Sequence, residues 1–386
     1  MSVLAPRGFT AAGVAAGIKP EGALDLAVVA AETAVPAAAV FTTNMAAAAP
    51  VRLSRRHISA GRFARTVVLN SGCANAATGE RGRAVAELTA NRTAELLSCA
   101  PEEVLVCSTG TIGTHLAPEA ITSGVAAAIA ALGSAKAHGA AAARAIMTTD
   151  SVPKEVVVDG GGFTVGGMAK GAGMIRPDMA TMLAVLSTDA VVEAPVLDAA
   201  LRFAVDHSFH GLNVDGCPST NDTVVVLASG ASGFTPAPEP LAAALTGAAM
   251  EMVTMIAADA EGASRVVTIA VTGAVSDYAA RSIGRSIADS ALVRCAFYGA
   301  DPNWGRIVAA LGEVDEEVDF DDLSIAFEGT VVAKRGGGVG ADEDAVSATM
   351  NGDFGVTVCV GAGPGTARVF TTDLTPDYVR FNAERS

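Results

Sequence analysis

Apolar residues fall in short runs along this chain of 386 residues, separated by polar or glycine-rich breaks. Strand-like runs at 26–30, 38–42, 66–70, 104–107 and 155–158 predict strands. Between them, a helical spacing of apolar positions predicts helices at 84–97, 118–132 and 140–147. Gly160, Gly161 and Gly162 mark a hairpin. Downstream, 182–186 reads as a buried strand, 195–207 as a helix, 223–227 as a strand and 241–258 as a long helix. A strand at 266–271, a helix at 278–291 and strands near 324–327, 355–360 and 367–371 complete the pattern. Helices and strands mix throughout, with no repeat and no long linker to signal two autonomous domains.

Composition narrows the class. Hydrophobic residues make up 51% of the chain, enough to fill a large core, and charged residues only 17%, below the usual quarter. A net charge of -15 and a pI near 4.7 argue against nucleic acid or an anionic membrane as partner, since both want a basic patch. No run of about 18 apolar residues is present, and the first residues lack the order of a signal peptide, so a cytoplasmic protein is expected. The six cysteines, at 73, 99, 107, 217, 295 and 359, form no Cys-x-x-Cys pair, which predicts buried thiols with neither a zinc site nor a disulfide framework.

Other clusters read as structure. The acidic run 315–322 lacks calcium-loop spacing and reads as a solvated face. Gly336-Gly-Gly-Val-Gly-Ala341 fits a loose nucleotide-loop pattern, but Asp342, Glu343 and Asp344 follow and would repel a pyrophosphate, so a turn is expected. His207 and His210 sit one turn apart with no third ligand in view, and no metal is expected.

The segment Gly166-Gly-Met-Ala-Lys-Gly-Ala-Gly-Met-Ile-Arg-Pro-Asp-Met-Ala-Thr-Met-Leu183 reads as a glycine-rich turn, carrying Lys170, that enters an apolar strand. Taken locally, Thr181 is a strand residue with its hydroxyl on a nearby carbonyl. Its other capacity is chemical. Attack of Thr181 Oγ on the Ala180 carbonyl would turn the amide into an ester, and water would release Thr181 with a free α-amine. That amine, with an ordinary pKa of about 7.7 to 8.0, can take the hydroxyl proton, so one residue supplies nucleophile and base.

This segment resembles the cleavage site of the glutamate N-acetyltransferase, or ornithine acetyltransferase, family of arginine biosynthesis. The similarity continues along the chain. It includes Ala39-Val-Phe-Thr-Thr-Asn44, Asn70-Ser-Gly-Cys-Ala-Asn-Ala-Ala-Thr-Gly79, Cys107-Ser-Thr-Gly-Thr-Ile-Gly113 and Met147-Thr-Thr-Asp150. Further on come Asp215-Gly-Cys-Pro-Ser-Thr-Asn-Asp-Thr223, Asp259-Ala-Glu-Gly262, Ala300-Asp-Pro-Asn-Trp-Gly-Arg306 and Thr372-Asp-Leu-Thr-Pro-Asp-Tyr-Val379.

The resemblance implies an α+β, layered helix-sheet fold, self-cleaved between Ala180 and Thr181 into chains 1–180 and 181–386. The second chain would carry an α/β portion from about residue 275, and the two would assemble as α2β2. It implies an oxyanion hole from the Thr109 hydroxyl and the Gly110 N–H, and substrate contacts at Thr148, Lys170, Thr181, Glu261, Asn382 and Ser386. Thr148, not Thr149, occupies the family's position relative to Thr109. The types suit the chemistry, because ornithine and glutamate share an α-amine and α-carboxylate but end in opposite charges. Lys170 and Glu261 supply one charge of each sign. Taken locally, Lys170 is a solvated loop lysine and Glu261 a charge near a helix end. Asn382-Ala-Glu-Arg-Ser386 departs from the pattern, being one residue shorter and without the usual Tyr.

The implied reaction moves an acetyl group from N2-acetyl-L-ornithine to L-glutamate through an acetyl-threonine ester, with no cofactor. Three alternatives remain: acetyl-CoA as a second donor, an N-terminal-nucleophile hydrolase or aminopeptidase, and a non-catalytic amino-acid-binding protein with Ala180-Thr181 intact.

Overall fold

A computed structural model describes residues 2–176 and 182–384. The expected cleavage pair Ala180 and Thr181, and Ser386, lie outside the described residues. The chain divides into two compact units, the first made of Met1–Gly171, Asp178–His210 and Pro218–Ile256. The second comprises Ala172–Pro177, Gly211–Cys217 and Ala257–Ser386.

The first unit carries strands β1 (Phe9–Val14), β2 (Leu26–Phe41), β3 (Phe63–Asn70), β4 (Val104–Ser108), β5 (Lys154–Asp159), β6 (Thr164–Lys170), β7 (Leu183–Thr188) and β8 (Thr223–Ala228). Its helices are α1 (Ala49–Gly61), α2 (Gly79–Leu97), α3 (Pro118–Ala130), α4 (Lys136–Ala145), α5 (Ala194–Asp206) and α6 (Pro238–Ala258). Strand order is β4-β3-β2-β8-β7-β6-β5, with β1 on β2. The runs 26–30 and 38–42, expected as separate strands, belong to one strand, β2. Exposed Glu32 and Thr33 interrupt its apolar run while the backbone stays extended. The first half of β2 pairs with β3 and the second with β8, with an irregularity between Ala30 and Val35. That change of partner layers the sheet. Val29, Ala37 and Phe41 of β2 share one core with Val67, Leu105, Met168, Val185 and Val225. Its other face, through Leu26 and Val28, packs with Val85 and Ala90 of α2 and Ile121 and Val125 of α3.

Two further elements depart from expectation. Residues 166–170 are strand, not turn, since β6 is hydrogen-bonded to β5 on one side and β7 on the other. Glycine stands there for space. A Cβ on Gly166 would come within 2.5 Å of the Ser2 carbonyl and 2.6 Å of Pro6. The unpredicted helix α1 covers the edge strand β4: Ser54 Oγ donates to the Val106 carbonyl and accepts from the Val106 N–H, both at 2.7 Å. His57 Nδ1 lies 2.9 Å from the Val104 carbonyl. These side chains occupy backbone groups that an edge would otherwise leave open. Helix α6, 21 residues with mean hydropathy 1.6, is long and apolar enough to cross a membrane, but it is half buried inside the fold.

The second unit has β9 (Val266–Ala274), β10 (Ser324–Phe327), β11 (Thr330–Lys334), β12 (Gly337–Gly338), β13 (Phe354–Cys359) and β14 (Gly365–Thr372), in the order β12-β11-β10-β13-β9-β14. Helices α7 (Asp277–Asp289), α8 (Ala291–Tyr298), α9 (Trp304–Leu311), α10 (Glu343–Thr349) and α11 (Pro376–Glu384) complete it. The helix expected over 278–291 breaks at Ser290, whose hydroxyl accepts from the Val293 N–H as the cap of α8. Of the glycine cluster expected as a turn, Gly336 lies in one, while Gly337 and Gly338 form β12. Arg335 and Gly336, at φ 52° and 71°, close the β11-β12 hairpin, and Asp342 caps α10 through the Ala345 N–H.

Candidate active site

In the first unit, the candidate residues gather where β4 and β6 end and β7 and β8 begin. Parallel pairing sets Leu183 of β7 against Thr223 of β8, and antiparallel pairing sets Lys170 of β6 against Leu183. The segment Ser108-Thr109-Gly110 leaves the end of β4. The Thr109 N–H donates to the Asn70 carbonyl at 2.9 Å, and Ser108 Oγ to Asn70 Oδ1 at 2.5 Å. Gly110 has φ +128°, and a Cβ there would fall 2.6 Å from the Cys73 nitrogen, so the close approach of this turn to Gly72-Cys73 requires glycine. Asn221, just before β8, ties the two regions together. Its amide donates to the Ser108 carbonyl at 2.9 Å and to the Ala74 carbonyl at 2.6 Å.

Lys170 is buried, not solvated, with Nζ 4.0 Å from Asp150 Oδ2. Asp150 joins it to Thr148 by accepting the Thr148 N–H at 2.9 Å. The same carboxylate accepts the Gly171 N–H at 2.6 Å and pairs with the fully buried Lys154 at 2.7 Å. Burial works to raise the Asp150 carboxyl, but Lys170, Lys154 and these hydrogen bonds outweigh it and hold the pKa at about 2. Half-buried Lys19, donating to the Met147 carbonyl at 2.6 Å, has its ammonium pushed down, mainly by burial and further by Lys170. At the start of β8, Asp222 is fully buried and Oδ1 accepts the Met182 N–H at 2.8 Å. Burial pushes its carboxyl well above the ordinary range, with the Met182 bond and Lys170 acting against it.

Glu261 and Asn382 belong to the second unit. Glu261 stands in the turn after α6, and its N–H donates to the Ala172 carbonyl at 2.8 Å. A Cβ on Gly173 would come within 2.5 Å of the Glu261 carboxyl carbon, so glycine lets segment 172–176 lie against that carboxylate. Asp215 holds the segment, accepting the Met174 N–H at 2.6 Å and the Ile175 N–H at 2.8 Å. Tyr378 of α11 donates to Asp215 at 3.3 Å, and Thr375 Oγ donates to the Gly262 carbonyl, so α11 docks on the Glu261 turn. Asn382, one turn along α11 and exposed, donates to the Tyr378 carbonyl at 3.1 Å.

Sequence reasoning missed Lys19, Asp150, Lys154, Asp215 and Asp222 as site residues. Asp150, Asp215 and Asp222 lie in stretches that carry the family resemblance, but Gly171, Met174, Ile175 and Met182, which donate to them, are 21 to 41 residues away. Cavities of about 560 Å³, lined by Phe41, Arg55, Arg62 and Arg202, and about 580 Å³, between α5 and α6, contain none of the candidate residues.

A layered α+β fold with a buried lysine, buried carboxyls and a glycine turn at its strand ends has the clustered, perturbed charges from which an enzyme's active site is built. The family follows from comparison with known proteins. The ArgJ family matches residues 10–386, and this chain belongs to it. It is 48% identical over 387 residues to the arginine biosynthesis bifunctional protein ArgJ of Thermobifida fusca, covering all of both chains. The protein of the same name from Mycobacterium leprae is 47% identical over 391 residues, covering all of this chain and 95% of that one. The crystal structure of the arginine biosynthesis bifunctional protein from Bacillus halodurans matches with 36% identity and a TM-score of 0.50, over 51% of this chain and 96% of that one.

Proposed function

We propose that the chain is a ping-pong transacetylase that makes N-acetyl-L-glutamate from L-glutamate with N2-acetyl-L-ornithine as donor. End-to-end identity near one half to proteins named for arginine biosynthesis is the observation that carries this. Self-cleavage at Ala180-Thr181 exposes the Thr181 amine. The Thr181 hydroxyl attacks the acetyl carbonyl, its proton passing to the amine, while the Thr109 hydroxyl and Gly110 N–H stabilise the oxyanion. Ornithine leaves with a proton from the Thr181 ammonium. Glutamate attacks the acetyl ester with its neutral α-amine, and the product leaves Thr181 free. One secondary amide replaces another, so the exchange is close to thermoneutral and needs no ATP.

Thr148, Lys170, Glu261, Asn382 and Ser386 are assigned to substrate. Lys170 takes a carboxylate, a role its burial among Asp150 and Lys19 supports, and Glu261 takes an ammonium. The Bacillus halodurans chain, matched almost whole by half of this one, has the length expected of a fragment cleaved near the middle, which supports a division into 1–180 and 181–386. We place the enzyme in the cytoplasm as an α2β2 assembly.

The word bifunctional in the relatives' names favours a second activity, with acetyl-CoA as donor. The test measures N-acetylglutamate formed from glutamate with each donor. Acetylornithine is expected to give the far larger kcat/KM and acetyl-CoA a slow reaction. Comparable values would contradict that ranking. Release of acetate at an undiminished rate without glutamate would make the protein a hydrolase instead.

A further inference from the structure

The roles assigned above leave Asp222 unused. Its side chain is fully buried, with Oδ1 occupied by the Met182 N–H at 2.8 Å and Oδ2 buried without a hydrogen-bond partner among the described residues. An unsatisfied carboxyl oxygen in the interior costs folding free energy and calls for a reason. The Asp222 backbone is fixed from two strand ends, its carbonyl accepting the Thr42 N–H at 2.9 Å and the Thr223 N–H donating to the Met182 carbonyl at 3.2 Å. Among the described residues, Lys170 is the charged group acting on it; Met182, Thr42 and Thr223 bring no charge.

The proposed self-cleavage has a requirement that the mature enzyme does not. Once cleaved, the α-amine of Thr181 is the base, but beforehand that nitrogen is an amide and cannot accept the hydroxyl proton. Another group must take it. Four covalent bonds separate the Met182 nitrogen from the Thr181 hydroxyl oxygen, so the two lie within about 5 Å at any torsion. A carboxyl bonded to the Met182 N–H can therefore serve that hydroxyl directly or through one water.

We propose that Asp222 is the proton-transfer residue of self-cleavage, an assignment that rests on Ala180-Thr181 being the cleaved bond. The Asp222 carboxylate takes the Thr181 hydroxyl proton as Oγ bonds to the Ala180 carbonyl carbon. When the C–N bond breaks, the departing nitrogen takes that proton from the Asp222 carboxyl, leaving an ester and a neutral amine. Water then hydrolyses the ester to the Ala180 carboxylic acid and the Thr181 hydroxyl. Asp222 ends in the state in which it began. Its burial favours the role, since a carboxyl raised above the ordinary range is a stronger base than a solvated one.

Asp222→Asn keeps an acceptor for the Met182 N–H and removes the base. Cleavage is followed by denaturing gel after synthesis, beside Thr181→Ala and the wild-type chain. Asp222→Asn is expected to slow cleavage at least about 100-fold while matching the circular dichroism and melting of uncleaved Thr181→Ala. Wild-type cleavage speed in Asp222→Asn, with Thr181→Ala uncleaved, would overturn the role of Asp222 and leave Thr181 standing. An uncleaved wild-type chain would overturn both. A second readout covers a variant that misfolds: the wild-type cleavage rate should rise with pH through one ionisation well above 3.8. A rate flat in pH across that range would overturn the proposal.

Discussion

At the residue scale, two side chains test the site separately. Thr109 is buried at the end of β4, where the Asn70 carbonyl fixes its backbone. Its hydroxyl matters most when charge develops on the acetyl oxygen, so Thr109→Ala in cleaved enzyme should lower kcat about 10²- to 10³-fold with a smaller change in KM. Steady-state kinetics with acetylornithine and glutamate measures this; an unchanged kcat would remove Thr109 from the oxyanion hole. Asp150 acts on stability as well as on Lys170. Its folded pKa of about 2 lies below the ordinary 3.8, so its contribution is complete above 3.8 and is lost as pH falls through about 2. Replacing it with Asn strands the buried Lys154 charge and should cost about 3 to 5 kcal/mol near neutrality, measured by urea unfolding. A loss under about 1 kcal/mol would show that the pair is not structural.

At the element scale, the strands and helices of strongest period were legible, among them 66–70, 104–107, 223–227 and 241–258. Two that were not, β6 and α1, each have a physical cause. In β6 the apolar pattern is hidden by Gly166 and Gly167; at Gly166 the segment around Ser2 and Pro6 approaches too closely for a side chain, and at Gly167 the side chains of Met252 and Leu186 fill the space. Helix α1 carries Arg52, Arg55 and Arg56 among its buried positions, and its tie to β4 is made by Ser54 and His57, which a pattern of apolar positions does not register. The candidate residues were named from motifs, but the network around Asp150 or Asp222 was not, because Lys170, Gly171 and Met182 find those carboxylates only once the strands align. Ser54→Ala tests the edge cover. It leaves the Val106 N–H and carbonyl without their side-chain partner, so a loss of about 1 to 3 kcal/mol is expected on denaturant unfolding. A change near zero would mean that the edge is satisfied otherwise.

At the scale of the whole molecule, the account makes one chain into two and one threonine into both nucleophile and base. Intact-mass analysis of purified protein exposed to N2-acetyl-L-ornithine without glutamate tests that claim most directly. The predicted result is two fragments, 1–180 and 181–386, with one acetyl group on Thr181 of the second. Added glutamate should remove that acetyl and yield N-acetylglutamate, whereas Thr181→Ala should remain a single unacetylated chain. An active protein that stays intact, or an acetyl group carried on any other residue, would contradict the account.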